Sequence, residues 1–248
     1  MEKPLDNILI AITRPREQAK SLDKKLKALG ANTLLFPTID IAPIENNTDT
    51  LKLFDELGET DFLIFISRNA VRHSANDIKQ RWPQLKKKPI IMAIGHGTAS
   101  ELQADGLEVN IIPDTASSES LLELIELKDV KGKRITIVRG DNGRELLATT
   151  LKERGAIVHY AETYHRHCPK ADIAKLLEKK PDLIITTSSE GLQNLYQMTP
   201  DEWHEQLLSC SLLVVSEHMS ELAENMGFSE PAIIADGASD SSIIKALI

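Results

Sequence analysis

Seven short turns in this chain combine small hydroxyls, glycine and arginine in a way suited to holding an anion. They are Thr13-Arg14-Pro15-Arg16, Ser67-Arg68-Asn69-Ala70, Gly95-His96-Gly97-Thr98-Ala99, Ser117-Ser118-Glu119-Ser120, Arg139-Gly140-Asp141-Asn142-Gly143-Arg144, Thr187-Ser188-Ser189-Glu190-Gly191 and Gly237-Ala238-Ser239-Asp240-Ser241. Each offers a small cap and free backbone N–H groups at the positive end of a helix. One such turn is commonplace. Seven, with Arg14, Arg16, Arg68, Arg139 and Arg144 in or beside them, are expected to act together on a small polyanion. Each helix end contributes roughly 0.3–1 kcal/mol, and each hydrogen bond to a charge about 1.5–3 kcal/mol.

The usual phosphate signatures are missing from the sequence. There is no GxxxxGK[ST], and Gly95-x-Gly97 runs on to Ser100 where the dinucleotide fingerprint needs a third glycine. No GxSxG elbow occurs, and no carboxylate pair is spaced for glycosidic work. His165 and His167 share one strand face, but no Cys or carboxylate completes a ligand set, so no metal is expected. His73, His96 and His159 read as surface or capping residues.

The elements that must position these turns alternate along the chain. Apolar runs at 8–12, 33–36, 62–66, 90–94, 109–112, 134–138, 157–160, 183–186, 212–215 and 232–234 predict strands. They lack strict polar alternation, as befits parallel strands covered on both faces. Between them lie amphipathic helices, such as 17–29 with Leu22, Leu26 and Leu29 at helical spacing. Gly30, Gly106, Gly155 and Gly227 each end a helix where a left-handed cap favours glycine. Open, doubly wound α/β sheets are expected.

The sequence also repeats itself. Thr13-Arg14 precedes Val138-Arg139 by 125 residues, and at that offset Leu22, Leu26, Lys27, Gly30 and Ala31 meet Leu147, Leu151, Lys152, Gly155 and Ala156. A second offset, 121, pairs Asp61 with Asp182, Ser67 with Ser188, Gly106 with Gly227, Ser118 with Ser239 and Ser120 with Ser241. Two modules, each used twice, predict paired lobes, with a ligand in the cleft they form. Two long extended stretches, 34–44 and 157–167, occupy equivalent places. They read as a two-stranded ladder at 39–44 and 161–167, joining a discontinuous domain of 1–38 plus 168–248 to an inserted domain of 45–160. Tandem domains split near Gly132 are the alternative.

The chain has 248 residues, 42% hydrophobic, with a net charge of −8. With a pI near 5.4, a general nucleic-acid or anionic-membrane surface is not expected. Cys168 and Cys210 form no CxxC, which suits a reducing compartment. No signal-peptide core or membrane-length apolar run is visible, so a cytoplasmic location is expected.

In this order the segments resemble the uroporphyrinogen-III synthase family. The resemblance rests on Thr13-Arg14-Pro15, Phe36-Pro37, Ile41-Ala42-Pro43-Ile44, Phe65-Ile66-Ser67-Arg68-Asn69-Ala70-Val71 and Ala93-Ile94-Gly95 with Thr98-Ala99. It continues through 117–122, Tyr164-His165-Arg166, Thr187-Ser188-Ser189-Glu190-Gly191 and 239–247. It departs at Ile66, where the family often has threonine, and in the 216–220 turn, which lacks a counterpart of Thr98. The resemblance implies two flavodoxin-like α/β lobes and no cofactor. It also implies a monomeric lyase of haem and sirohaem biosynthesis. The reaction it implies closes hydroxymethylbilane to uroporphyrinogen III, losing water and inverting ring D through a spiro intermediate. Transient hand-over from hydroxymethylbilane synthase is compatible with it. Thr13, Arg14, Ser67, Arg68, Asn69, Gly95, Thr98, Ala99, Arg139, Arg144, Ser188, Ser189, Gly191, Ser216 and Ser239 are the expected substrate-binding residues. Tyr164 is the expected proton donor, with hinge packing as its other role. A non-enzymatic two-lobed binder of a small anion is the competing expectation.

Overall fold

The structure is a computed structural model and describes residues 3–45, 47–143 and 145–248. Its strands are β1 (Leu9–Ile12), β2 (Asn32–Leu35), β3 (Asp40–Pro43), β4 (Phe62–Phe65), β5 (Ile90–Ala93), β6 (Arg134–Gly140), β7 (Ile157–His167), β8 (Leu183–Ile185), β9 (Ser211–Val214) and β10 (Ile233–Ile234). They build two sheets, ordered β10-β9-β8-β1-β2 and β3-β7-β6-β4-β5. The pairs β1–β2, β1–β8, β8–β9 and β9–β10 are parallel, as are β4–β5, β4–β6 and β6–β7. The chain divides into two compact units, Met1–Asp40 with His167–Ile248, and Ile41–Arg166.

Each sheet is apolar on both faces because helices cover both. All four residues of β4, Phe-Leu-Ile-Phe, are buried. In the first unit Ala11, Ile184, Leu212 and Val214 face one cluster with Leu177, Leu192 and Leu195. The alternate residues Ile10, Ile12, Ile185 and Leu213 face a second cluster with Ala19, Leu22, Leu26 and Ile243. The inserted unit repeats this arrangement with Leu63 and Phe65 on one side and Phe62 and Ile64 on the other. That is the period of two expected of a doubly covered sheet. Numbered from β1, the first unit has the flavodoxin-like strand order 2-1-3-4-5. The second keeps the same neighbours in β7-β6-β4-β5, with β3 added beyond β7, but takes β4 and β5 before β6 and β7 along the chain.

The duplication is visible in hydrogen bonds. Asp182, just before β8, accepts from Leu9 N at 2.7 Å through its carboxylate and donates its own N–H to Leu9 O at 2.9 Å. Asp61, just before β4, does the same with Arg134 N at 3.0 Å and Arg134 O at 2.8 Å. The four capping glycines have φ of +103° (Gly30), +80° (Gly106), +85° (Gly155) and +94° (Gly227), the region where glycine escapes the Cβ penalty.

Two strand expectations are corrected. Residues 109–112 make a single parallel bridge, Ile111 to Met92, instead of a strand. The extended stretch 34–44 is not continuous. It separates into β2 and β3, because Pro37 has no N–H for the ladder while its neighbours Phe36 and Thr38 still bond to Ile12 and Thr13 carbonyls. The stretch 157–167, by contrast, is one strand of 11 residues.

Candidate active site

In each unit the expected turns lie at the carboxyl ends of parallel strands, the edge at which α/β sheets take their ligands. In the first unit Ser188, Ser216 and Ser239 are N-caps that accept from Gly191 N, Met219 N and Ser242 N at 3.0, 3.3 and 3.1 Å. Ser189 opens the helix Ser189–Gln197, and Gly191 is packed so that a Cβ would lie 3.0 Å from Ser188 Oγ and 3.2 Å from Thr38 Oγ1. In the second unit Ser67 caps Ala70 N at 3.0 Å, with Arg68 and Asn69 in the first turn of the helix Arg68–Arg72. Ser117 caps Ser120 N at 3.0 Å.

Three of the turns are built differently. Thr13 caps nothing; its hydroxyl donates to Ile185 O at 3.0 Å, tying β1 to β8. Gly95 is the N-cap of the helix His96–Ala104 without a side chain to use, and a Cβ there would lie 2.6 Å from that of Ala116. Thr98 and Ala99 are buried in that helix's first turn. The helix Leu146–Glu153 has Glu145 as N-cap and no side-chain cap bond. Arg144 lies outside the described residues.

The repeat-related arginines, Arg14 and Arg139, have internal partners. Arg14 is 8% exposed and donates to Asp240 at 2.8 Å and to Ala238 O. Arg139 is 2% exposed and donates to Gly140 O at 3.0 Å and to Glu145 at 3.1 Å, with its guanidinium 4.5 Å over the Tyr160 ring. Each acid stands at a helix N-terminus, so both ion pairs seat a turn. Arg16 and Arg68 are exposed, and Arg68 lies 3.8 Å from where a Cβ of Gly97 would stand.

β7 carries two tyrosines on opposite faces of its sheet. Tyr160 donates to Glu145, and its pKa is pushed up to about 12, first by burial and then by that carboxylate. Its proton is held tightly. Tyr164 is 7% exposed, packs with Val138 and Ala161, and places its hydroxyl 3.0 Å from Ser67 Oγ. The imidazole of His73 lies 5.8 Å from the Tyr164 ring, centroid to centroid. Burial and then the neighbouring Arg72 push His73 below its ordinary 6.5, so it is neutral at pH 7. The result is a phenol at the carboxyl edge of the sheet, anchored by a helix-capping serine.

Some residues at these edges were not anticipated. Thr38 and Thr186 are fully buried beside Gly191, and among the described residues the Thr186 hydroxyl has no hydrogen-bond partner. Glu145 and Asp240 neutralise the buried arginines. Gly140 and Thr163 shape the surroundings of Tyr164. The signal for Thr38 and Thr163 was present, since they stand 125 residues apart. Their hydroxyls donate to carbonyls in the two repeat-related strands, one residue out of register: Thr13 at 3.4 Å and Arg139 at 3.2 Å. Among the described residues no group of three or more His, Cys, Asp or Glu could hold a metal ion. Among them, too, no helix is long and apolar enough to cross a membrane.

Fold and turns together define a duplicated, doubly wound α/β protein that presents helix N-termini and hydroxyls at the carboxyl edge of each sheet. Such chemistry suits a ligand rich in carboxylates. Residues 20–245 match the family profile described as Uroporphyrinogen-III synthase HemD. Uroporphyrinogen-III synthase of Escherichia coli (strain K12) is 35% identical, over 96% of this chain and 99% of its own. That of Salmonella typhimurium (strain LT2) is 34% identical over the same shares, 96% and 99%. The chain belongs to the uroporphyrinogen-III synthase family. The crystal structure of a mutant uroporphyrinogen III synthase from the extremely thermophilic bacterium Thermus thermophilus shares the fold, with a TM-score of 0.64. It is 18% identical, with 97% of this chain and 98% of that one covered.

Proposed function

We propose that this chain closes hydroxymethylbilane to uroporphyrinogen III, acting as a cyclising hydro-lyase. The observation that carries the site reading is the Tyr164 hydroxyl held 3.0 Å from Ser67 at a carboxyl edge lined by helix N-termini. The substrate's acetates and propionates engage the N–H groups and hydroxyls of these turns, with Arg68 as an exposed cation. Tyr164 protonates the terminal hydroxyl, the carbon–oxygen bond breaks and water leaves. The ring D carbon that already bears the chain attacks the resulting azafulvene. The spiro intermediate then cleaves and recombines with ring D turned over. Unaided closure gives the type I isomer, so the protein's main task is to hold a flexible chain in the less accessible geometry. This reading requires no cofactor and no partner subunit, and it suits a monomer that receives substrate directly from hydroxymethylbilane synthase.

The test is to incubate the protein with hydroxymethylbilane, oxidise the products and determine the isomers. Type III product supports the reading. Type I product alone, at the rate of the protein-free control, overturns it.

A further inference from the structure

The geometry points to Gly140 as a positioning residue for Tyr164, working together with a bulge at Thr163. β6 and β7 run in register from Arg134 opposite Ile157 to Arg139 opposite Glu162, and then Gly140 stands opposite Tyr164. Thr163 is therefore an extra residue with no partner on β6. Side chains alternate along a strand, so an unbulged β7 would send Tyr164 to the face of Tyr160 and Arg139. The extra residue turns it to the other face, beside Val138 and Ala161 and within reach of Ser67. The Thr163 hydroxyl donates to Arg139 O at 3.2 Å, fastening the bulge to the strand it departs from.

Turning the ring over requires room on β6. A Cβ on Gly140 would lie 2.8 Å from Cε2 and 2.9 Å from Cζ of Tyr164, closer than real contacts allow. Gly140 is not among the glycines with positive φ, so the backbone there accepts any residue. What the position demands is space, first for the phenol and then for the Tyr164 carbonyl, which would lie 3.1 Å from a Cβ. Any side chain at 140 must displace the Tyr164 ring, and with it the hydroxyl near Ser67.

This inference rests on Tyr164 taking part in the reaction, and its test separates the two. Gly140→Ala, Tyr164→Phe and the double variant are compared by kcat, KM and thermal unfolding, with hydroxymethylbilane as substrate. Gly140→Ala is expected to lower kcat about 10–100-fold, the cost of moving a reacting group by roughly an ångström. KM should stay within threefold. In the Tyr164→Phe background the same change should cost less than threefold. An equal loss in both backgrounds, or a Gly140→Ala enzyme within threefold of the parent, overturns the inference. Should Gly140→Ala not fold, Thr163→Val, which deletes the bulge's hydrogen bond, takes its place. Its loss of kcat should likewise vanish beside Tyr164→Phe, and an additive loss counts against the proposal. If Tyr164→Phe alone lies within threefold of the parent, the acid role fails first and takes the inference with it.

Discussion

Tyr164 and Tyr160 stand four residues apart on one strand, yet their surroundings give their hydroxyls different uses. Tyr160 is committed to Glu145, and burial together with that carboxylate pushes its pKa up to about 12. Tyr164 shares a hydrogen bond with Ser67, whose oxygen also accepts from Ala70 N, so the hydroxyl is fixed in place. Tyr164→Phe keeps the ring against Val138 and Ala161 and removes only the proton. Turnover is expected to fall roughly 10²–10⁴-fold, the usual contribution of acid–base catalysis. The thermal midpoint should hardly move, because the loss is one partly buried hydrogen bond. A loss under threefold in single-turnover kinetics would retire the acid role and leave templating of the substrate as the source of rate. Reading the chain residue by residue could suggest a tyrosine at 164, but not its orientation. That depends on one unpaired residue, Thr163, whose bulge the alternation of a strand does not announce.

At the scale of elements, recognition by helix ends makes a distinctive prediction, because backbone N–H groups survive side-chain mutation. Ser188→Ala removes one cap on the helix Ser189–Gln197 and should cost about 1 kcal/mol of stability. Turnover should fall no more than about tenfold, as read from denaturant midpoints and steady-state rates side by side. A collapse of activity would make the serine hydroxyl itself a necessary ligand. The strand-start aspartates give a pH signature. Burial raises the Asp61 carboxyl, but hydrogen bonds from Lys87 and Arg134 N outweigh it and hold it below 3.8. A depressed folded value means stability that is present above the unfolded pKa and lost as pH falls through the folded one. Asp61→Asn should therefore lower the thermal midpoint at pH 7, and the gap to the parent should narrow as pH falls below 3.8. A gap that does not narrow with falling pH would show that the clamp is steric and not charged. These elements were largely legible beforehand. Helix ends at Gly30, Gly106, Gly155 and Gly227 follow from glycine's freedom at positive φ, and the strands from their apolar runs. What escaped was where a ladder stops: Pro37 interrupts an extended stretch, and 109–112 sits at a sheet edge and keeps one bridge. The arginines escaped for a related reason. Composition can place a cation beside a turn, but it cannot show that Asp240 or Glu145 already neutralises it.

The whole chain is two copies of one pattern, and the copies differ in how they are threaded. Matching offsets in sequence become matching hydrogen bonds in space, as Asp182 with Leu9 and Asp61 with Arg134 show. The first unit is assembled from both ends of the chain, whereas Ile41–Arg166 is a single continuous segment. That segment holds its own sheet, apart from the first residue of β3 and the last of β7, and both of its apolar clusters draw only on residues within it. A segment that supplies both faces of its own core has what independent folding requires. Expressed alone, 41–166 is expected to unfold in one cooperative step in urea, with a slope about half that of the full chain if the latter unfolds as one system, since the slope follows the surface exposed. It should also retain the near-ultraviolet signal of a packed Tyr164. The segments 1–40 and 167–248 must find each other before β1 can pair with β8, so neither should fold alone. An isolated 41–166 that binds hydrophobic dye and shows no transition would mean that the inserted unit depends on the rest of the chain, and the duplication would then describe ancestry without autonomy.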